Sequence, residues 1–240
     1  MPVNHALRII FVHIPKTGGT AVESALGMHG TVSTVGIIPY HNQQKDYNCL
    51  FGRGLQHLTA LEIDGLLKSL TFNDYSTFPE FKRIIDKGRK ILKLAKQQDY
   101  FKKYFSFTVV RNPYDRLVSY WAWKKKNSGN KNPLTPEEFA ENMTMNWRND
   151  LLFRKHLMPQ HKFLTIGGKI VINKILKFEN LVQEFITMCD DLGLPCTGLE
   201  FRMVSSHLPF SEYYSEKLQE NVYEIYRDDF TIFGYPKEFK

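Results

Sequence analysis

A chain of 240 residues with 42% hydrophobic content is long enough to bury a full core, and it reads as one α/β domain over 1–240 rather than two small ones. Its 32 Lys+Arg against 25 Asp+Glu leave a formal charge of +7, a surplus that suits a polyanionic ligand and an acidic acceptor. The basic residues are spread out, with the densest runs (87–96 and 124–126) on expected helices, and no apolar run is long enough to cross a membrane, so neither nucleic acid nor a membrane is expected as a partner.

Cys49, Cys189 and Cys196 are odd in number and lack metal-ligand spacing, which fits free thiols in a reducing compartment. No secretory signal opens the chain. A soluble, cytoplasmic setting is the expectation, and a Golgi lumen only if an anchor was trimmed.

The first expected strand covers 8–13, apolar and partly β-branched, and the first helix covers 21–28. Between them stands His13-Ile14-Pro15-Lys16-Thr17-Gly18-Gly19-Thr20. Gly18 and Gly19 let backbone N–H groups approach a ligand closely. Lys16 adds a point charge, and the hydroxyls of Thr17 and Thr20 add donors at the positive end of a helix. This is an anion cradle for phosphate or sulfate. It differs from a Walker A loop, whose lysine follows the glycines.

Short strands are expected at 31–38 and 47–51, then a loop that carries His57 up to Thr59-Ala60-Leu61-Glu62. That last tetrad has the capping-box pattern and predicts a helix over 60–69. His57 thus falls between a strand and a helix N-terminus, where ligands of open α/β sheets bind, and its ordinary pKa near 6.5 suits a base. A surface or capping histidine is the plainer alternative. A second capping box, Thr77 to Glu80, opens a basic amphipathic helix expected to run to about 103.

A second anion site is expected at Val109-Val110-Arg111-Asn112-Pro113-Tyr114-Asp115-Arg116-Leu117-Val118-Ser119-Tyr120. Residues 105–110 form a buried strand, Asn112 is a good N-cap and Pro113 suits the first helical position. Arg111 and Ser119 together are placed to grip one phosphate. Arg116 pairs more simply with local carboxylates. Trp121 and Trp123 are able to stack on adenine, although aromatics on such a helix ordinarily belong to the core. A further capping box at Thr135-Pro136-Glu137-Glu138 starts another helix, and Asn180 is expected to cap one that runs to Gly193.

The two anion-binding turns, in this order, resemble the 5′-phosphosulfate loop and the 3′-phosphate element of sulfotransferases that use 3′-phosphoadenosine-5′-phosphosulfate (PAPS), and the His-Ile-Pro-Lys form of the first is similar to family 2, which includes Golgi carbohydrate sulfotransferases. Leu157-Met158-Pro159-Gln160 matches a family Pro-Gln element near the active site, Lys177-Phe178-Glu179-Asn180-Leu181 its late strand, and 213–235 its closing helices. The resemblance runs over about 8–236. It implies a central, mainly parallel sheet flanked by helices, the P-loop-like sulfotransferase fold. It further implies a PAPS-dependent sulfotransferase acting on a hydroxyl or amine of a carbohydrate or small metabolite, without a metal.

In that scheme Lys16 stabilises the leaving phosphate, the amides of Thr17, Gly18, Gly19 and Thr20 hold the 5′-phosphate, Arg111 and Ser119 hold the 3′-phosphate, and His57 takes the acceptor's proton. His13, in the strand, competes for that last role. Glu23 and Glu179 are weaker candidates, expected to be a solvated helix residue and a helix N-terminal charge. The rival readings are a P-loop-type nucleotide or phosphoryl-transfer enzyme and a non-catalytic polyanion-binding protein.

Overall fold

Ile9 to Val12 are four apolar residues in a row, all buried, as in a strand covered on both faces. In the computed structural model they form the strand β2 (Ile9–Val12), which lies parallel to β3 (Phe105–Val110); that in turn lies parallel to β6 (Lys174–Lys177). A short edge strand, β1 (Val3–Asn4), pairs antiparallel with β2, giving the order β1-β2-β3-β6. A separate hairpin of β4 (Thr165–Ile166) and β5 (Lys169–Ile170) turns through Gly167 and Gly168, whose φ values of 57° and 77° are those of a type I′ turn. The structure describes residues 3–4, 6–28, 57–69, 99–130, 132–144, 155–195, 198–201 and 207–238. The strands expected at 31–38 and 47–51, the helix start at Thr77 to Glu80, Cys49 and Cys196 lie outside the described residues.

Alternation along β2 divides the core. Ile9 and Phe11 face one side with Phe107, Val109 and Leu176, covered by Val22 and Leu26 of the first-helix segment and by Leu181, Phe185 and Met188. Ile10 and Val12 face the other, against Leu58, Ala60, Ile63, Phe101 and Phe163. The covering helices are α1 (Gly19–Ala25), α2 (Ala60–Ser69), α3 (Tyr100–Lys103) and, further along the chain, α6 (Leu181–Leu192). A third cluster joins α4 (Pro113–Asn127), α5 (Pro136–Thr144) and α7 (Glu216–Phe233) through Tyr114, Trp121, Phe139, Tyr226 and Phe230. This is an α/β fold with a mostly parallel sheet flanked by helices, as the sequence implies.

Capping chemistry sets the helix starts. Thr59 N–H donates to Glu62 Oε2 at 2.7 Å while Glu62 N–H donates to Thr59 Oγ1 at 3.2 Å, and α2 starts at Ala60 as expected. The same reciprocal pair links Thr135 and Glu138, and Asn112 Oδ1 accepts from Tyr114 N–H at 3.0 Å. Three expectations are corrected. Helix α1 begins at Gly19 and ends at Ala25, earlier than 21–28, because Gly18 in the left-handed region serves as its N-cap. The late strand ends at Lys177, and 178–180 form a 3-10 turn rather than strand. Asn180 precedes α6 but its side chain makes no capping bond.

Parallel pairing of β2, β3 and β6 brings their carboxyl ends to one edge of the sheet. The segments that follow them, 13–18, 111–112 and 178–180, therefore meet there. Ligands of open α/β sheets bind at this edge.

Candidate active site

The turn after β2 is closed from within. Thr17 Oγ1 donates to the carbonyl of Ile14 at 2.9 Å, with Thr17 fully buried, so its hydroxyl is spent on the loop and does not face a ligand; this corrects the expectation that it adds a donor. Lys16 adopts φ 68°, a left-handed conformation that costs a non-glycine residue on the order of 1–2 kcal/mol. The two glycines serve different needs. Gly18 (φ 80°) lies against Phe178 and Leu181, whereas a Cβ on Gly19 would come within 2.3 Å of the His13 ring.

Lys16, Gly18, Gly19, Thr20, His13 and His57 line one cavity of about 200 Å³, together with Pro15, Ala21, Ser24, Trp123, His156, Glu200 and Phe201. Lys16 Nζ lies 5.2 Å from the centre of the Trp123 ring, and among the described residues no carboxylate is within ion-pair reach of it. Burial, and then the Arg111 charge, lower its pKa to about 8. It is an ammonium group short of solvent and, among the described residues, short of a counter-ion.

His57 stands three residues ahead of the start of α2 at Ala60. Its Nδ1 lies 3.2 Å from the carbonyl oxygen of His13. A carbonyl only accepts, so Nδ1 carries the hydrogen and Nε2 is left with its lone pair. Burial, then the neighbouring His13, His156 and Lys155, hold its pKa well below the ordinary imidazole value, against the opposing backbone hydrogen bond. Its neutral form is therefore the favoured one. His13 stands 4.6 Å away, ring centre to ring centre, and His156 5.3 Å away.

Arg111 and Ser119 do not line this cavity. Arg111 sits behind it: Nη1 donates to the Lys16 carbonyl at 3.2 Å, Nε pairs with Asp115 at 2.8 Å, and the guanidinium lies over the Phe178 ring at 4.1 Å. Its backbone is bracketed by Gln160, which accepts from Arg111 N–H at 2.9 Å and donates to Arg111 O at 2.8 Å. Ser119 is buried within α4.

Arg116 is not a partner of local carboxylates. Fully buried, it donates to three carbonyls, Pro15 at 3.0 Å, Met158 at 3.0 Å and His156 at 2.7 Å. One guanidinium thus ties the turn after β2 to the segment that carries His156. Trp121 belongs to the core, as such aromatics usually do, whereas Trp123 lines the cavity with His156 stacked on it at 5.5 Å. Glu23 is 1% exposed and faces His13 rather than solvent. Glu179 accepts from Asn112 N–H at 2.7 Å and from the Tyr235 hydroxyl at 2.9 Å, a cross-tie rather than a base.

His156 is the residue that sequence reasoning missed. Its only signal is position, three residues ahead of Pro159 in the Pro-Gln element. Among the described residues no group of histidine, cysteine or acidic side chains is arranged to hold a metal ion, and no helix is long and apolar enough to cross a membrane.

No curated protein and no solved structure matches the chain significantly. A family model, described as Sulfotransferase family, matches residues 1–236 and so spans the turns after β2 and β3, the Pro-Gln element and the closing helix. The chain belongs to the sulfotransferase family, in its family-2 branch.

Proposed function

We propose that this sulfotransferase uses PAPS as donor and transfers its sulfuryl group to a hydroxyl or amine of a carbohydrate or small-metabolite acceptor, with His57 as base. The observation that carries the reading is one cavity holding both Lys16, a desolvated cation with no carboxylate in ion-pair reach among the described residues, and a neutral His57 whose Nδ1 faces a carbonyl. Those residues fit the phosphosulfate end of such a donor. PAPS, when bound, supplies the activated sulfuryl group.

The chain supplies charge, orientation and a proton acceptor. Lys16 stabilises negative charge growing on the leaving phosphate, and the amides of Thr17, Gly18, Gly19 and Thr20 hold the 5′-phosphate. Arg111 retains Nη2 beyond its bonds to Asp115 and Lys16, and with Ser119 it takes the 3′-phosphate. His57 Nε2 receives the acceptor's proton. Trp123 and His156 form the wall beside it.

Release of 3′,5′-adenosine bisphosphate from PAPS, followed across a panel of polysaccharides and small alcohols and amines, tests this reading. Lys16→Met and His57→Gln are each expected to lower kcat/KM about 100-fold, the worth of one well-placed group. Turnover unchanged in His57→Gln would remove the base assignment. Release absent with every acceptor while the bisphosphate still binds would point to a non-catalytic polyanion-binding protein.

A further inference from the structure

Glu23 is a carboxylate with 1% exposure, set beside a cavity whose chemistry calls for anions. Buried there for packing alone, it would be a poor choice: desolvation and repulsion of an incoming anion both count against it. Its carboxyl Oε1 lies 3.2 Å from His13 Nδ1, a close polar contact.

His13 is fixed on every side the structure describes. Its ring stacks on Phe11 at 5.5 Å, presses on Gly19 so closely that no side chain fits there, and meets His57 edge-on at 4.6 Å. Strand β2 ends at Val12, so no strand ladder sets the direction of the His13 carbonyl. That carbonyl is the group that decides which nitrogen of His57 holds the hydrogen. A histidine side chain free in water favours hydrogen on Nε2, so the arrangement seen at His57 has to be imposed.

We propose that Glu23 acts through His13 to hold His57 in the Nδ1–H tautomer with Nε2 bare toward the cavity, which makes Glu23 and His13 positioning residues of the site. The consequence for turnover rests on His57 being the base. The tautomer itself does not.

The test is a two-bond nitrogen–proton correlation spectrum of the full chain with 15N-labelled histidine, the His57 signals assigned by their loss in His57→Gln. In the wild type, about nine-tenths or more of His57 is expected in the Nδ1–H form at neutral pH. Glu23→Ala is expected to drop that share below about half, while Glu23→Gln, which keeps an oxygen beside His13, retains most of it. A wild-type ring with its hydrogen on Nε2, or Glu23→Ala with the tautomer intact, overturns the proposal. So does Glu23→Gln losing the tautomer as fully as Glu23→Ala. Should the alanine variant fail to fold, Glu23→Met, which keeps the bulk and removes both oxygens, takes its place, with the same fall expected and the same retention overturning the proposal. If instead His57→Gln leaves turnover unchanged, the base reading fails while the tautomer result stands.

Discussion

Lys16 concentrates two costs in one residue, a left-handed backbone and a half-buried charge whose pKa is lowered to about 8. A lysine whose folded pKa is depressed favours its neutral form, so at pH 7 its charge works against folding. Lys16→Met is therefore expected to raise stability by on the order of 1 kcal/mol, read as a higher Tm, while it weakens donor binding. A bound anion restores the proton. Binding of 3′,5′-adenosine bisphosphate should weaken as pH rises above about 8 and should take up protons there, seen as a buffer-dependent heat that Lys16→Met lacks. His57 shifts the same way, with its neutral form favoured. The acid limb of kcat/KM is expected below pH 6.5, and stability is lost as pH falls through that region. An acid limb at or above 6.5 would show that the ring is not held as the structure has it.

At the scale of elements, legibility followed local chemistry. The capping boxes at Thr59 and Thr135 and the Asn112-Pro113 start were readable because each rests on side chains three residues apart or fewer. Thr135→Ala, which removes one such cap, is expected to cost about 1 kcal/mol with activity unchanged, as thermal unfolding can check. The start of α1 is not legible in this way, because the left-handed Gly18 caps it through backbone geometry, which leaves no side-chain signature. Gly19→Ala belongs here too. Its Cβ would meet the His13 ring, so it is expected to lower both stability and donor affinity, whereas an innocent helix-starting glycine would gain from alanine.

Across the whole molecule, what the sequence left hidden was long-range. Arg116, read from its neighbours as a helix arginine seeking a carboxylate, reaches instead to carbonyls of Pro15, His156 and Met158. Glu23 sits at a position that suggests a solvated helix face, yet it is buried, with Oε1 3.2 Å from His13 Nδ1. No spacing rule reports such partners. Gln160 N–H and His161 N–H both donate to Asp229, at 2.6 and 2.9 Å, so α7 holds the turn that brackets Arg111. Asp229→Leu strips this turn of its acceptor and is expected to cost on the order of 3 kcal/mol, with donor binding weakened in parallel.

The claim on which the rest depends is that this sheet edge recognises an adenosine carrying phosphate at both 3′ and 5′. Calorimetric titration with 3′,5′-adenosine bisphosphate beside 5′-AMP, without magnesium, tests it directly. The account predicts a preference for the bisphosphate of about 100-fold, on the order of 3 kcal/mol, reduced toward unity in Ser119→Ala and Arg111→Lys. Equal affinity for the two nucleotides would contradict it.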